Sequence, residues 1–209
     1  MTTFNKTFLT LALTALSLNV FAADKKAEKK AAAATVQAGK YNLDTAHSKV
    51  GFEIPHLVIS SVEGRFASFE GEVELAEKIA DSKVNVSINI DSIDTANGDR
   101  DKHLRSPDFF DVAKFPKMTF KSKKITGSYD KFKIVGDLTI KDKTKEVTLD
   151  GHFLGIVNDA YGNTKAAFNA STKINRQDFG LTWSKLVEAG PVVGDEVTIT
   201  LKIQAAKAK

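Results

Sequence analysis

Cysteine is absent from this 209-residue sequence, and its absence excludes several classes of protein. Disulfide-stabilised folds, cysteine zinc sites, thiol catalysis and a lipid-modified N-terminal cysteine all need that residue. Long apolar runs are missing too: residues 7–20 form the longest, about 14 residues, whereas a membrane-spanning helix needs about 20. We therefore expect no integral membrane segment, and a domain that is stable through its core alone.

An excess of one charge is also missing from most of the chain. The formal net charge is +4, but six of the 30 basic residues and two of the 26 acidic residues precede Tyr41, which leaves 24 of each sign. A domain without net positive charge gives no reason to expect nucleic acid as a partner.

The first 22 residues have the pattern of a secretory signal peptide. Lys6 precedes the apolar run, and a small residue, Ala22, follows it at the expected cleavage site. We expect cleavage near Ala22, with Ala23 as the alternative, and export to the periplasm.

The rest of the chain divides by composition. Residues 23–39 are rich in alanine and lysine and predict a flexible linker, with contact to a membrane surface or cell wall as the functional alternative. Residues 40–206 predict one folded domain, and residues 207–209 a short tail.

The apolar residues of this domain recur with a period of two, which predicts β-strands. Val50, Phe52 and Ile54 are one example among eight or nine such runs. Short segments rich in turn formers, such as residues 127–130 and 141–143, suit antiparallel hairpins. The predicted fold is all-β: an eight-stranded antiparallel barrel closes on itself to bury its apolar face, with a sandwich as the alternative.

One segment interrupts the alternation. Residues 97–106 are polar, lack β-branched side chains and predict a short helix within a loop, which Pro107 ends. Arg100 and His103 are three positions apart and would share one face of that helix, whereas Arg105 would not.

Many short motifs follow one another in a fixed order. They are Tyr41–Ser48, Gly51-Phe52, His56-Leu57, Gly64–Phe66, Ser92–Thr95, Arg100–Ser106, Asp108–Val112, Phe115-Pro116, Thr119–Ser122, Gly136–Ile140, Ile174–Arg176, Asp178–Trp183 and Val193–Val197. Through these motifs the chain resembles the YceI family of exported, lipocalin-like proteins over residues 41–205. Thr45 stands where that family often has proline.

The resemblance implies a barrel with a long apolar tunnel that binds a polyisoprenoid, such as an isoprenoid quinone, or a related long-chain lipid for transport or storage. It implies neither catalysis nor a cofactor. Aromatic residues outside the strand alternation would form an apolar lip at the barrel mouth, with core packing as the alternative for each ring. The predicted tunnel lining is Phe52, Phe66, Phe109, Phe110, Phe115, Phe120, Phe168, Phe179 and Trp183.

The polar end of such a lipid needs a hydrogen-bond donor or a positive charge. Arg65, Arg100 and His103 are the predicted contacts. The alternative is an exposed polar turn, with ion pairs from the helix to Asp99, Asp101 and Asp108. We also interpret Arg176 and Asp178 as a structural pair.

Other functions remain as alternatives. His47, His56, His103 and His152 lack the spacing of a common metal-binding motif, and no metal site is predicted. No nucleophile elbow or phosphate-binding loop is present in the sequence. An envelope enzyme that acts on a lipid or small ester through His56 or His103 is one alternative. A stress-related interaction protein that uses the lysine-rich linker is another, and a homodimer is left open.

Overall fold

The computed structural model describes residues 36–188 and 190–209, so the predicted signal peptide and most of the predicted linker lie outside the described residues. The strands are β1 (Gly39–Leu43), β2 (Lys49–His56), β3 (Ser60–Phe66), β4 (Phe69–Leu75), β5 (Lys83–Asn89), β6 (Ile93–Asp94), β7 (Lys117–Ser128), β8 (Lys131–Ile140), β9 (Lys143–Asn158), β10 (Thr164–Asn175), β11 (Leu186–Val187), β12 (Gly190–Pro191) and β13 (Glu196–Lys207). The helix α1 spans Gly98–Arg105, and short 3-10 helices span Thr45–His47, Ile79–Asp81, Ile90–Ser92 and Arg176–Phe179.

Eight strands close into an antiparallel ring. They pair in the order β1, β4, β5, β7, β8, β9, β10 and β13, and β13 pairs back to β1 with Tyr41 opposite Lys207. The predicted eight-stranded barrel is therefore confirmed, and the sandwich alternative is wrong. Closure removes the exposed strand edges that an open sheet would leave.

Three consecutive pairs of strands extend one end of the ring. β2 continues the line of β1 and pairs with β13, β3 pairs with β2, and β6 pairs with β3. Together with α1, these strands form what we call the helix end of the barrel. The opposite, far end carries the 3-10 helix Ile79–Asp81, the β7–β8 turn and the β9–β10 hairpin.

The period-two pattern places apolar side chains inside the ring. In β8, the even-numbered residues from Phe132 to Ile140 are buried, and the odd-numbered residues between them are more exposed. Residues facing one side of a strand recur at every second position, so the apolar residues of the alternating pattern form the barrel interior.

The predicted helix is also confirmed. The Asn97 side chain accepts a hydrogen bond from the Arg100 backbone N–H at 3.0 Å, so Asn97 caps the N-terminus of α1. Ser106 ends the helix directly before Pro107. No helix within residues 36–188 or 190–209 is both long and apolar enough to cross a membrane.

Candidate functional site

Two adjoining cavities lie along the barrel. The inner cavity, about 150 Å³, is lined by residues from all eight strands of the ring. The outer cavity, about 430 Å³, lies at the helix end among β2, β3, α1 and the loops before β7 and β13. Because exposed or half-exposed residues such as Asp99 and His103 line the outer cavity, it reaches the protein surface there.

Four residues line both cavities and form a waist between them: Phe52, Phe66, Met118 and Ile199. The ring centroids of Phe52 and Phe66 are 5.7 Å apart. Gly64 lies opposite Phe52 on β3, and a Cβ atom at Gly64 would lie only 2.3 Å from Phe52 Cζ. The Phe52 ring thus lies against bare backbone, which fixes its position in the waist.

The inner cavity offers almost no polar group to a ligand. Its hydroxyl-bearing residues are Ser82 and Thr172. Ser82 Oγ already accepts a hydrogen bond from the Ala76 backbone N–H at 3.0 Å. A surface of this kind suits a hydrocarbon chain, which needs no hydrogen bonds.

A cluster of aromatic side chains lies at the far end of the inner cavity. The rings of Tyr129 and Phe153 are 5.3 Å apart, and those of Phe153 and Phe168 are 5.2 Å apart. The Tyr129 hydroxyl donates to the Ala76 carbonyl, and burial raises the pKa of Tyr129 above its ordinary value. The phenol therefore stays neutral here, as an apolar environment favours.

The outer cavity adds polar groups to an apolar wall, and Arg100 is the first of them. Arg100 Nε donates to Thr95 Oγ1 and Arg100 Nη2 to the Thr95 carbonyl, both at 2.7 Å. The buried carboxylate of Asp101 accepts from the Thr95 backbone N–H at 2.9 Å and from its hydroxyl at 2.6 Å. Asp101 thus fixes Thr95, and Thr95 orients Arg100, whose other guanidinium N–H groups remain available in this arrangement.

His103 lies in an aromatic cluster on the same cavity. Its Nε2 is 2.9 Å from Asp108 Oδ2, and its side chain is 40% exposed. Its ring meets Phe109 and Trp183 edge-on, at centroid distances of 5.1 and 5.0 Å. Of the helix contacts predicted to Asp99, Asp101 and Asp108, the structure has the His103–Asp108 one, as a hydrogen bond. Arg105, by contrast, pairs with Asp91 at 3.1 Å, away from the cavity.

Arg176 holds two loops together at the helix end. It is 2% exposed, and it donates to the carbonyls of Trp183 and Gly194, both at 2.8 Å. Its guanidinium also pairs with Asp195 at 3.0 Å. Further bonds reach the carbonyls of Leu181 and Val193.

The predicted pair between Arg176 and Asp178 is therefore wrong. The Arg176 side chain points into the protein, where loop carbonyls and Asp195 surround it. A buried guanidinium needs partners for five N–H groups, and one neighbouring carboxylate cannot supply them.

The structure brings most of the predicted aromatic residues together around the two cavities. Phe109, Phe110 and Trp183 line the outer cavity, Phe120 and Phe168 line the inner one, and Phe52 and Phe66 line both. Phe115 and Phe179 line neither; Phe179 is 1% exposed and packs in the core.

The predicted polar contacts divide in the same way. Arg100 and His103 line the outer cavity, whereas Arg65 is exposed on β3 and pairs with Asp94 at 3.0 Å. Residues not predicted for the site include Met118 and Ile199 in the waist, although their strand alternation points them inward. Within the described residues, no group of three or more His, Asp or Glu side chains is arranged to hold a metal ion.

The sequence is similar to those of known proteins. The profile of the YceI-like domain matches residues 41–205. The chain is 36% identical over 209 residues to UPF0312 protein YE1254 of Yersinia enterocolitica, which covers 99% of this chain and 100% of that protein.

Solved structures share the fold. The YCEI protein of Campylobacter jejuni superposes with a TM-score of 0.65 at 34% identity, over 80% of this chain and 97% of that one. A polyisoprenoid binding domain from Saccharophagus degradans superposes with a TM-score of 0.62 at 14% identity, over 82% of this chain and 100% of that domain.

Proposed function

The chain belongs to the YceI-like domain family, and on that premise we propose that it binds a polyisoprenoid or related long-chain amphiphilic lipid in the tunnel. The observation that carries the proposal is the pair of adjoining cavities: the inner one is almost entirely apolar, and the charged lining residues belong to the outer one. The polyisoprenoid binding domain from Saccharophagus degradans has the same fold, which supports this choice of ligand.

The hydrocarbon chain would occupy the inner cavity and pass the waist. Removing apolar surface from water contributes about 25 cal/mol per Å², so a long chain gains affinity without any specific polar contact. The waist residues, Phe52 and Phe66 among them, would contact the middle of the chain.

The polar end of the lipid would lie in the outer cavity. Arg100 and His103 supply hydrogen-bonding groups there, but Asp99 lines the same cavity with the opposite charge. Arg176 is already committed to loop carbonyls and Asp195. Because the charges nearly balance, the cavity favours an uncharged acceptor such as a quinone carbonyl over a phosphate.

We propose that the protein carries or stores this lipid without catalysis. No serine, threonine, lysine or cysteine of the described residues lines the outer cavity, so its wall lacks a hydroxyl, amine or thiol nucleophile beside the polar end, although His56, His103 and Asp99 line it. The predicted signal peptide supports export, and the periplasm is the proposed location.

Phe110→Asp tests the site directly. Phe110 lines the outer cavity, with its ring edge-on to Phe66 at a centroid distance of 6.1 Å. A carboxylate in place of this ring removes apolar contact area and puts a charge in the cavity wall beside Phe66, so we expect the affinity for an isoprenoid quinone to fall at least about tenfold. Titration of the detergent-solubilised quinone, followed by tryptophan fluorescence, measures the loss.

Phe115→Asp is the matched control, because Phe115 belongs to the same loop region, is half-buried and lines neither cavity. We expect its affinity to stay within about twofold of the wild type. Equal affinities for both variants and the wild type, with unchanged melting temperatures, would contradict the proposed site.

A further inference from the structure

Four large apolar side chains are exposed together at the helix end. Val58 and Ile59, in the β2–β3 turn, are 65% and 87% exposed. Leu186 and Val187, in the β11–β12 hairpin, are 83% and 44% exposed. We call these four residues the tip patch.

The two hairpins of the tip patch are joined. The Leu57 backbone N–H donates to the Val192 carbonyl at 3.0 Å, and the Gly194 N–H donates to the Pro55 carbonyl at 2.9 Å. Val58 also packs close to Gly190: a Cβ atom at Gly190 would lie 3.2 Å from Val58 Cγ2. The four side chains therefore belong to one connected surface.

In the β2–β3 turn, two residues have an unfavourable backbone conformation. Leu57 and Val58 have φ angles of 52° and 67°, in the left-handed region. Asparagine and glycine adopt that region readily, whereas a β-branched residue such as valine does so rarely. Neither the exposure of Val58 nor its backbone conformation stabilises the fold, and strain of this kind is a reason to look for a function.

The tip patch adjoins the mouth of the tunnel. Pro55 and His56, at the base of the first hairpin, line the outer cavity, as do Val192 and Val193 beside the second. Trp183, half-buried in the same wall, is of the residue type that favours the boundary between water and lipid.

We propose that the tip patch inserts into the surface of a lipid bilayer and places the tunnel mouth against it. The inference rests on the proposed lipid binding, because a cargo that partitions into membranes has to enter and leave the tunnel there. The patch consists of two narrow tips, and the charges of Lys185 and Glu188 beside Leu186 and Val187 offset each other. Projecting tips without net charge suit insertion among lipids, whereas a protein partner would favour a broader surface.

The test uses two double variants of the full chain, Val58→Asn/Ile59→Ser and Leu186→Ser/Val187→Ser. Flotation with phosphatidylcholine vesicles measures binding, and transfer of an isoprenoid quinone from the same vesicles measures loading. We expect each variant to bind vesicles about tenfold more weakly and to load correspondingly more slowly. Because Asn tolerates a positive φ, the melting temperature of the first variant should not fall.

Val157→Ser/Tyr161→Ser is the matched control. These side chains are 64% and 91% exposed near the far end, and we expect their loss to leave vesicle binding unchanged. An equal loss of vesicle binding in this control would overturn the proposal and indicate nonspecific adsorption. Wild-type protein that does not float with vesicles would also overturn it and would point to a protein partner.

Quinone delivered in detergent tests lipid binding in the tunnel separately from membrane contact by the tip patch. Tip-patch variants should bind detergent-delivered quinone like the wild type. If no variant and no wild-type protein bound it, the proposed function would fail, and vesicle flotation would still decide whether the tip patch contacts membranes.

Discussion

Arg176 shows how one buried charge positions the mouth of the tunnel. Its guanidinium reaches carbonyls on both loops that flank the outer cavity, at Trp183 and Gly194, and a carboxylate at Asp195. Trp183 in turn lies against His103 and Phe109. The position of the aromatic cluster therefore depends on a residue whose side chain is committed to the protein itself.

Arg176→Met removes this positioning group without reducing side-chain bulk greatly. The loop carbonyls would lose their donors, so we expect the free energy of unfolding to fall by about 1–3 kcal/mol for each buried carbonyl left without a partner. Quinone affinity should fall as well, because the loops that hold Trp183 would loosen. Urea denaturation and quinone titration give the two values.

Arg65→Met serves as the comparison, since Arg65 is exposed and its pair with Asp94 lies on the surface. A change of less than about 1 kcal/mol is expected there. If the two variants lost the same stability, the role assigned to Arg176 would be wrong.

Residue-level roles could be predicted from the sequence only where they follow from local patterns. Phe120 and Phe168 lie on alternating strands, so their inward direction follows from the period. Phe179 gives no such signal, because it ends a 3-10 helix and packs in the core. The partner of Arg176 lies 19 positions away at Asp195, and a contact formed by tertiary folding leaves no mark in local spacing.

At the scale of elements, the junction between β1 and β2 joins the closed ring to its extended end. Residues 44–48 bulge out of the ladder with β13, and their side chains replace the missing strand contacts. Asp44 Oδ2 accepts from Gln204 Nε2 and Lys165 Nζ, both at 3.1 Å, and is 3.0 Å from His47 Nδ1. Ser48 Oγ accepts from the Gln204 N–H at 2.9 Å. One carboxylate thus links the junction to β13 and β10.

Asp44 should make this junction sensitive to acid. Burial acts to raise the pKa of Asp44, but hydrogen bonds from Lys165, His47 and Gln204, together with the Lys165 charge, hold that pKa well below its ordinary value. A folded-state pKa below the unfolded one adds stability above about pH 4, and acidification through the folded-state pKa removes it. We expect Asp44→Asn to lower the free energy of unfolding by about 1–3 kcal/mol near pH 7, and the difference to shrink towards pH 2.

Asp142→Asn is the control, because Asp142 is exposed and pairs only with its neighbour Lys143 at 3.2 Å among the described contacts. Denaturation across the pH range should show little effect of this change. A difference between wild type and Asp44→Asn that stayed constant with pH would rule out the charge of Asp44 as the cause.

Elements were more predictable than their joints. Alternation predicted most of the long strands but not β1 or β3, turn formers predicted the β7–β8 and β8–β9 turns, and Asn97 to Pro107 predicted α1. The bend at residues 44–48 and the β11–β12 hairpin could not be predicted, because the first depends on contacts across the barrel and the second spans only two residues per strand.

At the scale of the whole molecule, closure of the ring and extension of its strands at the helix end produce two cavities along one axis. The ring encloses the inner cavity, and the extended strands with α1 surround the outer one. The apolar inner cavity is followed by the outer cavity, which carries the polar groups, and then by the tip patch beside the mouth. This order matches an amphiphile whose hydrocarbon chain lies inside the barrel and whose polar end lies at the mouth.

Native mass spectrometry of the protein purified from its host, followed by organic extraction, tests directly whether the two cavities hold a lipid. We expect a stoichiometric prenyl lipid, with an uncharged polar end, that is released when the protein unfolds. The Phe110→Asp variant purified in the same way should carry less of it. Wild-type protein that contains no lipid, and that fails to take up an isoprenoid quinone supplied in detergent, would contradict the account.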